Sequence, residues 1–100
     1  MASPYETVIL NLLLREGELF GLELIAKSNG FLKRGTVYVL LDRLENEGLV
    51  KSKLKDAPKG SKGPARRLYR ITGSGETALR ESLAKRSQID GLLGLNGGAI

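Results

Sequence analysis

Arg34-Gly-Thr-Val-Tyr-Val-Leu-Leu-Asp-Arg-Leu-Glu-Asn-Glu-Gly48-Leu-Val-Lys-Ser-Lys-Leu-Lys55 carries two different periods joined at one glycine. In its first half Val37, Leu40, Leu41 and Leu44 recur at i, i+3, i+4 and i+7, the stripe of a helix with one buried face. Asn46-Glu47-Gly48 reads as that helix's end, because glycine takes the left-handed conformation that closes helices. After Gly48 the residues from Leu49 to Lys55 partly alternate, as a strand does, and so do Arg67 to Ile71. Between them lies Asp56-Ala-Pro-Lys-Gly-Ser-Lys-Gly-Pro-Ala65, a turn-rich loop. Helix, strand, loop and strand in that order predict an antiparallel hairpin fed directly by an amphipathic helix.

Working outward, Ser3-Pro4-Tyr5-Glu6 predicts a helix start: Ser3 as N-cap, Pro4 at the first helical position and Glu6 closing a capping box. That helix is expected to reach about Arg15 and stop at Gly17. Tyr5, Val8, Ile9, Leu12 and Leu13 form one apolar face, with Leu10 and Leu14 on the opposite side, so this helix is expected to be buried on two sides. A second helix is expected from Gly21 to Ser28, with Leu22, Ile25 and Ala26 inward, followed by the turn signal Asn29-Gly30. Two helices joined by a short turn, the second strongly amphipathic, make the helix-turn-helix pattern. Thr72 is expected to cap a fourth helix through about Arg86. The glycines after Ser87 interrupt the pattern. The expected architecture is therefore a mainly α winged helix-turn-helix: a three-helix core, a two-stranded wing and a C-terminal helix. Residues 1–86 form the domain, and 87–100 a tail that is flexible or ordered by a dimer.

Charge is concentrated. Between Lys51 and Arg70 there are eight basic residues and one acid, a local net charge of +7, within a chain whose formal net charge is +5. Lysines can merely guard exposed strand edges, but that does not account for so large an imbalance. A positive hairpin beside an amphipathic helix is a natural partner for a phosphate backbone. There is no cysteine and no histidine, which removes disulfides, imidazole bases and the usual zinc sites. The acids are scattered singly, no cofactor is implied, and an enzyme is the least favoured class. Gly60-Ser-Lys-Gly-Pro and Thr72-Gly-Ser-Gly-Glu lack P-loop spacing and read as a hairpin tip and a helix cap. No apolar run is long enough to span a bilayer, and Met1-Ala-Ser-Pro4 lacks the features of a signal peptide. The expectation is a soluble, cytoplasmic protein.

With the third helix's apolar stripe turned inward, Gly35, Val39 and Asp42 centre its outward arc, flanked by Thr36, Tyr38 and Arg43. Recognition helices enter the major groove mainly by their N-terminal end. That end holds Lys33, Arg34, Gly35, Thr36 and Tyr38, which with Arg43 are the candidate groove contacts on double-stranded DNA. A plain solvated helix face would explain the same charges in isolation; the adjacent basic hairpin tips the reading toward DNA. Asp42 stands against it, since a carboxylate there repels phosphate unless it accepts from a cytosine amine or pairs with a basic neighbour. Lys59, Lys62, Arg66 and Arg67 are the wing candidates for flanking phosphates. Leu10, Leu14, Leu79 and Leu83 are read as packing residues. Periodicity leaves open whether they pack within one subunit or between two; the small core and the two-faced first helix favour a homodimer interface.

The segment Gly35-Thr-Val-Tyr38-Val-Leu-Leu41-Asp-Arg-Leu44-Glu-Asn-Glu-Gly48-Leu49-Val50 resembles the recognition helix and first wing strand of the PadR-like transcriptional regulators. Arg66-Arg67-Leu-Tyr69-Arg-Ile71-Thr72 followed by Gly75 is similar to that family's second wing strand and next helix. The likeness covers roughly Tyr5 to Leu83. Gly21 and Glu23 fit the start of its second helix, although Leu22 stands where an aromatic is usual. The resemblance implies a homodimeric repressor binding an inverted-repeat operator, with Thr36 and Tyr38 on the DNA backbone. It also implies a C-terminal helix that helps form the dimer, as in the family's short subclass. Two other readings remain: a protein that coats DNA with little sequence preference, in replication or partition, and a winged helix that binds an acidic protein.

Overall fold

A computed structural model of the chain describes residues 3–56 and 65–94. Four helices, α1 (Pro4–Glu16), α2 (Gly21–Lys27), α3 (Arg34–Asn46) and α4 (Gly73–Leu93), accompany a small sheet; α1, α2 and α3 pack against it and α4 packs against α1. The sheet's strands are β1 (Glu18–Phe20), β2 (Val50–Lys55) and β3 (Arg66–Ile71), antiparallel in the order β1-β3-β2. The architecture is the expected winged helix with one strand more than predicted. β1 pairs Glu18, Leu19 and Phe20 with Arg70, Tyr69 and Leu68. Three residues are too few to display a period of two, so this strand exists only through its partner.

Local chemistry sets the helix ends. Ser3 Oγ accepts from the Glu6 N–H and Glu6 Oε1 accepts from the Ser3 N–H, each at 3.2 Å, completing the capping box of α1. At the end of α3, Gly48 has φ +77°, its N–H donates to the Glu45 carbonyl at 3.0 Å, and the Leu49 N–H donates to the Leu44 carbonyl at 2.9 Å. This reciprocal pair satisfies the last carbonyls of the helix and needs a residue tolerant of positive φ. Thr72 then ties two helices together. Its Oγ1 donates to the Gly48 carbonyl at 2.7 Å and accepts from the Gly75 N–H at 3.0 Å, so the hydroxyl that starts α4 also anchors the end of α3.

Val37, Leu40, Leu41 and Leu44 are all buried, as the periodicity of α3 requires. Elsewhere the sides are corrected. Glu6, Ile9, Leu10 and Leu13 form the buried stripe of α1, while Tyr5 and Leu14 are exposed. In a helix apolar almost all round, periodicity cannot say which arc meets the core. In α2 the buried residue is Leu24; Leu22 is 48% exposed and Ala26 is exposed, while Ile25 is half-buried. Seven residues make barely two turns, too few to set a phase. Leu10 and Leu79 lie wholly within the chain's own core and are not interface residues, whereas Leu14 and Leu83 remain exposed. Finally, α4 continues past Arg86 to Leu93, where Gly94 at φ +71° ends it. Gly91 does not break it, since an internal glycine costs a helix only about 1 kcal/mol.

Candidate nucleic-acid interface

The exposed arc of α3 is as predicted. Arg34, Gly35, Thr36, Tyr38, Val39, Asp42 and Arg43 are all exposed, and Val39 at the centre is 60% so. Hydroxyls cap α1 and α4, but the N-cap of α3 is Lys33, which has no side-chain acceptor to offer, and the first turn of α3 holds no acid. The start of α3 therefore keeps a positive field and backbone donors turned outward. Around Gly35 a Cβ would meet nothing within 4 Å, so any close approach its small size permits is to a body outside the chain.

Tyr38 is held in place rather than loose on the surface. It is 41% exposed, with its ring against the backbone of Gly21 at the start of α2. A Cβ on Gly21 would lie 2.5 Å from Tyr38 Cε1 and 2.8 Å from its hydroxyl oxygen. Gly21→Ala is thus expected to swing the tyrosine ring into solvent while changing stability by less than about 1 kcal/mol, because helix propensity offsets the lost contact. Ring resonances of Tyr38 and a thermal melt read the two effects separately. A melt several degrees lower with unmoved resonances would contradict this account.

A polar relay fixes the wing to α3. Glu45 Oε2 accepts from the Ser52 N–H at 3.1 Å and from the Ser52 hydroxyl at 2.7 Å, and Arg67 Nη1 donates to Ser52 Oγ at 3.1 Å. Three elements, α3, β2 and β3, meet at one serine. Tyr69 lies opposite Ser52 in the ladder. Burial pushes its phenol above the ordinary tyrosine pKa; the Glu45 carboxylate adds to the rise and Arg67 opposes it. The phenol therefore stays neutral at physiological pH. Sequence reasoning missed Glu45 and Ser52. The available signal was Ser52 itself, the one uncharged polar residue among Lys51, Lys53 and Lys55, on the inward phase of the strand.

The predicted site residues do not all come together. Lys33, Arg34, Gly35, Thr36 and Tyr38 share the N-terminal half of α3. Arg43 lies nine residues beyond Arg34, roughly 14 Å along the axis, and lines a depression of about 390 Å³ with Glu6, Glu47, Glu81 and Lys85. Arg66 stacks its guanidinium over the Phe20 ring at 4.6 Å from the centroid. Lys59 and Lys62 lie outside the described residues.

Residues 9–81 match the model of the transcriptional regulator PadR-like family. The chain belongs to that family. Among solved structures, a PadR-like transcriptional regulator from Bacillus cereus is 31% identical with a TM-score of 0.72, covering 89% of this chain and 86% of the other. A PadR family regulator from Clostridium difficile is 25% identical with a TM-score of 0.73, covering 92% and 96%. Bacillus subtilis PadR, solved in complex with operator DNA, is 26% identical with a TM-score of 0.70, covering 80% of this chain and 46% of that one. No curated protein matches significantly. PadR-like proteins are transcription regulators and not enzymes, in keeping with a chain that has no histidine or cysteine. Among the described residues no helix is long and apolar enough to cross a membrane.

Proposed function

We propose that this PadR-like regulator is a homodimeric, cytoplasmic repressor that binds an inverted-repeat site in double-stranded DNA. The observation that carries the reading is the exposed start of α3, uncapped by any side chain and bearing Lys33, Arg34, Thr36 and Tyr38. Gly35 lets the backbone close on a phosphate there, Tyr38 donates its hydroxyl to a phosphate, Thr36 reaches a base edge from the first turn of the helix, and exposed Val39 suits contact with a thymine methyl. Arg43 assists from the far end of the helix. The wing residues Lys59, Lys62, Arg66 and Arg67 hold flanking phosphates, with Arg67 also bracing the wing through Ser52.

The dimer is supported by the second half of α4. Leu83 is 45% exposed, and Ile89, Leu92 and Leu93, three neighbours at helical spacing, are exposed as well. These four apolar side chains, exposed along the last three turns of α4, gain most by packing against a second copy of the helix and of α1 near Leu14. Residues 87–93 are on this reading the dimer-ordered part of the tail.

Selection of bound duplexes from a random pool by the full chain tests the site reading. Enrichment of an inverted repeat with half-sites about 34 Å apart is expected. Arg34→Ala or Thr36→Ala should shift the enriched bases. A pool that shows no enrichment, or a footprint that spreads along the duplex, would replace a sequence-specific repressor with a coating protein. Sedimentation velocity tests the dimer: the mass of two chains is expected for the wild type and of one for Leu83→Glu.

A further inference from the structure

Strand alternation divides the basic hairpin between two sides. Val50 and Ser52 of β2 and Tyr69 and Ile71 of β3 face the core and α3. Lys51, Lys53 and Lys55 therefore project from the opposite side of the sheet, and so do Arg66 and Arg70 of β3. All five cations are exposed. Residues two apart on a strand lie about 7 Å apart, and neighbouring strands about 4.8 Å, so the five side chains form two parallel rows. One acid joins them on this face: Glu18 of β1, 3.6 Å from Lys53 Nζ. A depression of about 190 Å³ lies among Lys51, Lys53, Arg70 and Glu18.

The rows work against the fold that carries them. Lys51 stands directly opposite Arg70 in the ladder, and Lys55 opposite Arg66; like charges so placed destabilise a sheet. Edge protection accounts for lysines on β2, an edge strand, but not for arginines on β3, which is the central strand. A polyanion laid along the two rows would remove the repulsion.

We propose that this outer sheet face, apart from Arg66 at its wing end, is a second DNA-binding surface, which takes the phosphate backbone of a duplex other than the one read by α3. The regulator would then hold two DNA segments at once, one by sequence and one by charge. The reading rests on the function proposed above, because the first duplex occupies the start of α3. The geometry separates the two: α3 lies on the inward side of the sheet, joined to it through Glu45 and Ser52, whereas the rows point outward. A phosphodiester chain fits better than a membrane, since among the described residues the face has no exposed apolar rim to insert. The Phe20 ring is covered by Arg66 and Leu68 is half-buried. It also fits better than an acidic peptide, because cations held at ladder spacing in two rows match a regularly charged rod. Lysine and arginine there supply charge without base contacts, so binding should be indifferent to sequence.

Capture of a second duplex tests this. The full chain is loaded onto an inverted-repeat duplex recovered by the selection above and fixed to beads, washed, and offered a fluorescent duplex of scrambled sequence. The wild type should capture it. A variant carrying Lys51→Gln, Lys53→Gln, Lys55→Gln and Arg70→Gln should keep its hold on the bead-bound duplex to within about threefold and lose second-duplex capture at least tenfold. Equal capture by variant and wild type would overturn the proposal. So would a parallel loss of both duplexes, which would mean that the rows serve the duplex already on α3. Fluorescent polyglutamate captured as well as DNA, charge for charge, would make the partner an acidic protein and sink the idea as well. Should the variant not fold, the wild type still decides. With one duplex bound, a second equivalent should shift the amide resonances of Lys51, Lys53 and Arg70, and unmoved resonances would overturn the inference. Wild-type chain that fails to stay on the beads sinks the function proposed above, whereas retention without second capture sinks this inference alone.

Discussion

Raising monovalent salt from about 50 to about 200 mM should weaken binding to duplex DNA by roughly 10³–10⁵, if a dimer neutralises about six to ten phosphates. Each phosphate paired with a lysine or arginine releases condensed counterions, and that entropy gain shrinks as the bulk salt rises. The protein is equipped for such a count. Lys33 precedes α3, Arg34 and Arg43 sit on it, the wing segment carries Lys59, Lys62, Arg66 and Arg67, and a dimer would double that count. Fluorescence anisotropy at four or five salt concentrations gives the slope directly. A flat response would mean that the basic hairpin does not meet a nucleic acid. The slope also separates roles. Replacing Arg66 by alanine should reduce it by about one per half-site and weaken all sequences alike, whereas Thr36→Ala should change sequence preference with little effect on the slope.

The largest effect on stability is expected at Gly75. It is buried in the first turn of α4, and a Cβ there would collide with the Leu49 carbonyl oxygen and lie 2.7 Å from Ile71 Cγ1. The obstacle is backbone at the junction that Thr72 already pins to Gly48 and Leu49, so it cannot turn aside as a flexible side chain would. Gly75→Ala should cost about 1–3 kcal/mol, lowering the melting temperature by roughly 5–20 °C in a domain of this size. Gly73 supplies the control two residues earlier, where a Cβ would meet nothing within 4 Å. Gly73→Ala should gain about 0.4–1 kcal/mol by restricting the unfolded chain. Thermal melts of the two variants should therefore move in opposite directions, and a Gly75→Ala variant as stable as the wild type would refute the close contact.

The elements legible from sequence share a property: each announces itself within its own span. The stripe of α3, the hydroxyl caps of Ser3 and Thr72, the close at Gly48 and the two long strands all depend on residues at most a few positions apart. What was misread depends on partners distant in the chain. β1 needs β3, some fifty residues away. Leu24 is inward because α2 docks where Tyr38 and Gly21 meet, while Leu10 and Leu79 are core because α4 packs against α1. At the candidate interface the exposed start of α3 could be read from periodicity. The Glu45–Ser52–Arg67 relay joins residues up to twenty-two positions apart and could not.

The sequence by itself determined that the chain makes an amphipathic helix followed by a strongly basic hairpin, because both are properties of local period and composition. The tertiary structure alone decided where that charge points. Alternation along β2 and β3 is a local rule, but which phase is inward depends on what packs beneath the sheet. With Val50, Ser52 and Tyr69 turned toward the helices, Arg67 is drawn to α3 and five other cations are sent to the far side. A block of charge that looks continuous in the sequence becomes two surfaces in the folded protein.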